Sequence, residues 1–153
     1  MREQTDVRLK ITSLTITPQD IESRIGLKPD ESWRIGDRLG TFGAVARDHG
    51  FMIEAGALVS APFQDYMTGL IRKIAPAAQK IGQLGDQCAI EVVCTLHRKV
   101  APLLTFERDD LRWIGVLGAR VRIDTFIISE GARAGARPAS GAGGAAETGP
   151  DKF

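Results

Sequence analysis

A chain of 153 residues, 43% hydrophobic and 25% charged, carries apolar material for one globular domain with one core, in the size range of about 100 to 150 residues where domains most often fall. Lysine and arginine total 20 against 19 carboxylates, so no net field draws in nucleic acid or an anionic membrane. The opening MREQTDVRLK alternates charged and apolar residues where a signal peptide needs an apolar run, and no later stretch approaches the roughly 18 apolar residues of a membrane span, so the expected location is cytoplasmic.

Val7, Leu9 and Ile11 alternate with Arg8, Lys10 and Thr12, the period-two pattern of a strand with one buried face. Thr17, Pro18 and Asp20 then supply an N-cap, a proline at the first helical position and a carboxylate where the helix dipole favours it; the helix they start stops at Gly26. KPDESWRIGD follows, residues 28 to 37. Pro29 forces the chain out of the helix, leaving Trp33 free to point inward as an anchor whose indole N–H takes Asp30, Glu31 or Asp37 as partner, unless these pair with Arg34 or Arg38. LGTFGAVARDHG reads as a loop, with a short strand around Trp33 to Ile35 before it and the strand FMIEA after it.

From Phe63 the apolar residues Met67, Leu70, Ile71, Ile74, Ala78, Ile81 and Leu84 keep helical spacing over about six turns. Pro76 inside this stretch lacks the amide that would bond back to Arg72, which predicts a kink or restart. CAIEVVCTLHR is the clearest strand, with Cys88, Ile90, Val92, Cys94 and Leu96 on one face and Glu91, Val93, Thr95 and His97 on the other. It is expected to turn at Lys99 to Pro102 into a hairpin partner, LLTFE. DDLRWIGVLG predicts a helix capped by Asp109, with Leu111, Ile114 and Leu117 inward and Gly118 as its stop. The last strand, ARVRIDTFII, is expected to bury Val121, Ile123 and Ile127. From Gly131 on the chain is alanine, glycine and small polar residues with little to bury, which predicts a disordered tail over 131–153 after a single domain at 5–130. The order of elements predicts an α+β fold: a mostly antiparallel sheet with about three helices packed on one face and the other face open.

That open face is the first candidate site. By alternation it collects Arg8 and Lys10, then Glu91, Thr95 and His97, then Arg120, Arg122 and Asp124, a mixed-charge groove with Trp33 and Arg34 at its edge; cross-strand ion pairs on a solvated face are the plainer reading. Phe126 alone offers an aromatic surface there, too little for an RNA-binding sheet. Asp48 beside His49, in RDHG, reads as turn chemistry before a strand, and Glu107, Asp109 and Asp110 as helix-start carboxylates. GDRLGTFG lacks the Gly-Lys-Ser/Thr of a phosphate loop, and no serine or cysteine stands paired to a histidine, so no catalytic residue is assigned. Cys88 and Cys94, six apart along one strand, are separated by roughly 20 Å at about 3.4 Å per residue, too far for a disulfide or a shared metal. No cofactor is expected.

In combination, SLTITPQDIESRIGLKPDESWRIGD, the helix with its internal proline and LGARVRIDTFI resemble the bacterial family known as domain of unknown function 4279, over about residues 7 to 128. The resemblance implies no activity and carries no catalytic residue; it implies that Pro29, Trp33 and Gly36 belong to the pattern of the fold. The expected function is a non-enzymatic binding or protein-interaction module, accessory or immunity-like, acting on a protein partner. The alternative is a small-ligand-binding protein or enzyme whose pocket joins His97, Arg120 and Arg122 to the Trp33 loop.

Overall fold

Val7, Leu9 and Ile11 are at most 1% exposed and form the spine of the sheet in the computed structural model, which describes residues 2–58 and 61–129. The chain begins with β1 (Gln4–Ser13), α1 (Pro18–Ile25), β2 (Glu31–Trp33), the two-residue strands β3 (Arg38–Leu39) and β4 (Ala44–Val45), and β5 (His49–Glu54). It continues with α2 (Phe63–Ile74), a 3-10 turn (Ala75–Ala77), α3 (Ala78–Gly82), β6 (Ala89–Arg98), α4 (Arg108–Leu117) and β7 (Arg120–Ile127). The main sheet has the order β2-β5-β1-β6-β7, antiparallel except for the parallel pair β6 and β7; β3 and β4 form a separate ribbon. The expected tail over 131–153 lies outside the described residues.

One face of the sheet carries all the helices. Ile21 and Ile25 of α1, Met67, Leu70 and Ile74 of α2, Ile81 of α3 and Ile114 and Leu117 of α4 meet the inward residues of β1, β5 and β6 in one buried cluster. The local signals act as expected at both ends of α1: Thr17 Oγ1 accepts the Asp20 N–H at 3.3 Å, and Gly26 closes the helix at φ 73°. Pro76 breaks the long helix into α2 and α3 through the 3-10 turn. Gly82 is required by closeness: a Cβ there would overlap the carbonyl oxygen of Val116, where α3 crosses α4.

Four expectations are corrected. Residues 103–107 form no strand; Leu104 and Phe106 pack instead against the edge of the core, Phe106 edge-on to Phe63 at 5.6 Å. With no hairpin after β6, α4 carries the chain back along the helix layer, so β7 enters beside the start of β6 and runs parallel to it, Arg120 opposite Glu91. Ile123 and Ile127 are 42% and 58% exposed, because β7 is the outer strand and only Val121 packs against the core. In α4 the N-cap is Glu107, whose N–H donates to Asp110 at 3.1 Å; Leu111 faces solvent, and buried Asp110, which also accepts from Gln64 Nε2 at 2.9 Å, takes the inward position.

Candidate functional site

On the face away from the helices the cross-strand partners fall into rows. Trp33 of β2 lies opposite Gly50 of β5, Gly50 opposite Thr12 of β1, and Thr12 opposite Ala89 of β6. Of these small residues Gly50 lies under the tryptophan ring, and Thr12 and Ala89 floor a trough beside it. The next row runs Glu31, Met52, Lys10, Glu91, Arg120, and the row beyond it Glu54, Arg8, Val93, Arg122.

Trp33 closes the β2–β5 half of this face. Its ring occupies the space above Gly50, where a Cβ would fall inside the indole, so glycine at 50 is what lets the ring lie flat on the sheet. With Ala46, Met52 and the partly buried Leu39 it forms a small cluster separate from the main core, and it is 8% exposed. Its indole N–H donates to Asp48 Oδ1 at 3.2 Å. None of the three carboxylates expected for it takes that place. Asp30 accepts the Glu54 N–H at 2.7 Å and Asp37 the Arg34 N–H at 2.8 Å, both tying the loop to itself or to β5. Gly36, at φ 93°, makes the turn between them, closed by the Asp37 N–H on the Arg34 carbonyl at 3.0 Å. His49 Nδ1 accepts the Ile35 N–H at 3.2 Å. Asp48 and His49 therefore each bind back to the Trp33 segment, a role beyond the turn read from RDHG.

The β1–β6–β7 half is polar. A cavity of about 150 Å³ opens there, floored by Thr12 and Ala89 and bounded by Lys10, Asp48, Glu91, Arg120 and Arg122. Glu91, expected to face solvent, is 6% exposed and accepts a charge-assisted hydrogen bond from Arg120 Nε, while the Arg120 side chain remains 77% exposed. Lys10 Nζ lies 5.8 Å from the Trp33 ring centroid, within cation–π range, and forms no ion pair among the described residues. Arg122 pairs with Asp124 along its own strand at 3.0 Å.

Of the seven residues singled out in the sequence, four meet around this trough: Trp33, Lys10, Arg120 and Arg122. Three do not. Arg8 is engaged by Asp6 and, at 4.0 Å, by Glu54. His97 stacks on Phe126 at 4.9 Å at the far end of β6. Arg34 reaches over α1, donating to Gln19 Oε1 at 2.7 Å. Asp48, Thr12, Ala89 and Gly50 were missed, since each gains its place only through strand order. The thiols lie on the other side of the sheet: both cysteines are buried and free, and burial pushes Cys94 up to about 12 and raises Cys88 as well. Neither is a thiolate at neutral pH.

The model of the family described as Domain of unknown function (DUF4279) matches residues 3–127. The chain belongs to that family. No curated protein and no solved structure matches it. The DUF4279 match runs from just before β1 to the last residue of β7, so the whole sheet, the Trp33 loop and the trough lie within the family domain. No helix among the described residues is long and apolar enough to cross a membrane.

Proposed function

We propose that this protein is a non-enzymatic binding module that recognises a protein partner through the open face of β1, β6 and β7, with Trp33 as the wall of the recognition trough. The observation that carries the reading is Lys10, held over the Trp33 ring and without an ion pair among the described residues, while its neighbours Glu91 and Asp48 are engaged by Arg120 and the indole N–H. Such a cation suits a carboxylate on a partner surface. An acidic side chain inserted from a larger surface fits the space. Affinity capture from native cells, with the full chain as bait and under conditions that retain weak complexes, tests the reading. A protein that survives reciprocal capture is expected; its absence contradicts the proposal.

A further inference from the structure

β7 is the outer strand of the sheet, eight residues long, and no described strand pairs with its far side. Proteins usually blunt such an edge with charge, lysine above all, or with proline, a bulge or a covering segment; RVRIDTFI contains neither lysine nor proline, and its three charges, Arg120, Arg122 and Asp124, all lie on the open face. Its side chains are unusually open for a strand, with Ile123, Phe126 and Ile127 between 42% and 58% exposed.

The hydrogen-bond parity of β7 follows from its end. The Ile128 N–H donates to the Arg98 carbonyl at 2.7 Å, and Arg98 lies opposite Ile127. In a parallel ladder this turns the even-numbered residues of β7 toward β6 and leaves Val121, Ile123 and Thr125 with N–H and C=O directed outward.

These outward groups are spaced about a centre of self-complementarity. When two copies of β7 run antiparallel with Ile123 opposite Ile123, Val121 meets Thr125, and all three outward residues exchange hydrogen bonds with outward residues of the second copy. On the open face the same register sets Arg122 opposite Asp124 twice, at the non-hydrogen-bonded positions where side chains come closest, and Arg120 opposite Phe126. Sliding by two residues, the smallest slip that keeps the outward groups matched, sets Arg122 against Arg122 or Asp124 against Asp124. The slip onto Arg122 also sets Arg120 opposite Asp124 twice, so the register centred on Ile123 is distinguished as the one that joins opposite charges with no like-charge pair.

We propose that two copies of this protein join edge to edge through β7 in the register centred on Ile123, making a two-fold dimer in which two five-stranded sheets become one. Edge pairing leaves the open face of the sheet uncovered, so the recognition trough is repeated on one continuous surface. The dimer does not depend on the binding role proposed above.

Sedimentation equilibrium on the full chain tests this. Wild type is expected to dimerise with rising concentration, while Arg122→Asp and Asp124→Arg each weaken association by roughly tenfold or more. An equimolar mixture of the two variants is expected to recover the dimer, because each restores the other's charge pattern across the axis. Ile123→Cys supplies a readout that leaves the charges alone: paired Cα atoms about 5.5 Å apart are within disulfide reach, so mild oxidation is expected to link Ile123→Cys to itself and not Ile127→Cys. The proposal is overturned by a wild-type monomer at all concentrations, including one that dimerises only after residues 131–153 are removed. A dimer indifferent to either charge reversal, or a mixture that stays monomeric alongside an Ile123→Cys chain that does not cross-link, overturns it equally.

Discussion

The two faces of this sheet are closed by different means. On one, β1, β5 and β6 present Val7, Leu9, Ile11, Phe51, Ile53, Ile90, Val92, Cys94 and Leu96 to helices that bring their own aliphatic stripes, and burial is continuous. On the other, a single side chain does the covering: Trp33 lies on Gly50, held by Asp48, and beyond it the face is left to charges. A layer of helices makes a core that admits polar groups only where they are hydrogen-bonded, as Ser13 and Asp110 are. One ring over one glycine makes a step, and a step beside an uncovered charged row is a place where a partner can seat.

Deleting side chains from each face measures that contrast. Leu9→Ala, with Leu9 0% exposed under the helices, is expected to cost about 4 kcal/mol in urea unfolding, toward the upper end for buried leucine. Trp33→Ala is expected to cost about 3 kcal/mol, the lower end for a buried aromatic, because its cluster is small and lies apart from the main core. A cost below about 0.5 kcal/mol would make Trp33 an exposed contact residue instead.

Gly50→Ala sharpens the comparison, since the methyl displaces the ring. It is expected to destabilise by about 1 to 3 kcal/mol in the native sequence and by much less on top of Trp33→Ala, a coupling that a double-mutant cycle reads directly. Cys94 tests the closed face through pH. Its folded pKa is raised above the ordinary 9.0 to about 12, so its contribution to stability is full below about pH 9 and is lost as pH climbs toward 12. Cys94→Val is therefore expected to flatten the fall in stability over that window. The smallest effect belongs to the open face: Lys10→Met, which removes the cation over Trp33 without setting a carboxylate opposite Glu91, is expected to cost about 0.5 to 1 kcal/mol.

The closed face was largely legible in the sequence, because period-two and helical spacings are local and Thr17, Gly26 and Pro76 act on their own neighbours. Where it was misread, a longer-range term decided. Leu103 to Glu107 alternates like a strand, yet Phe106 finds Phe63 rather than a pairing edge, and β7 runs parallel because α4 returns the chain across the helix layer. The open face was legible only by residue type. Alternation assigned Lys10, Arg120 and Arg122 to one side, and the bulk of Trp33 marked it as an anchor. Its partner Asp48 stands 15 positions away and reaches it only because β2 pairs with β5, while the ring's seat on Gly50 and the trough floor of Thr12 and Ala89 beside it exist only once β5, β1 and β6 lie side by side in that order. Arg34 and His97 are each drawn off by a neighbour, Gln19 and Phe126, that no spacing announces.

The central claim is that recognition belongs to the open face, and it is tested most directly by comparing capture of the partner by three baits of equal fold, verified by circular dichroism. These are the wild-type chain, Lys10→Glu in the trough, and Leu111→Glu on the solvent side of α4, where Leu111 is 56% exposed. Loss of the partner from the trough variant, with full capture by Leu111→Glu, is the expected result. Undiminished capture by the trough variant, or loss confined to Leu111→Glu, would contradict the account.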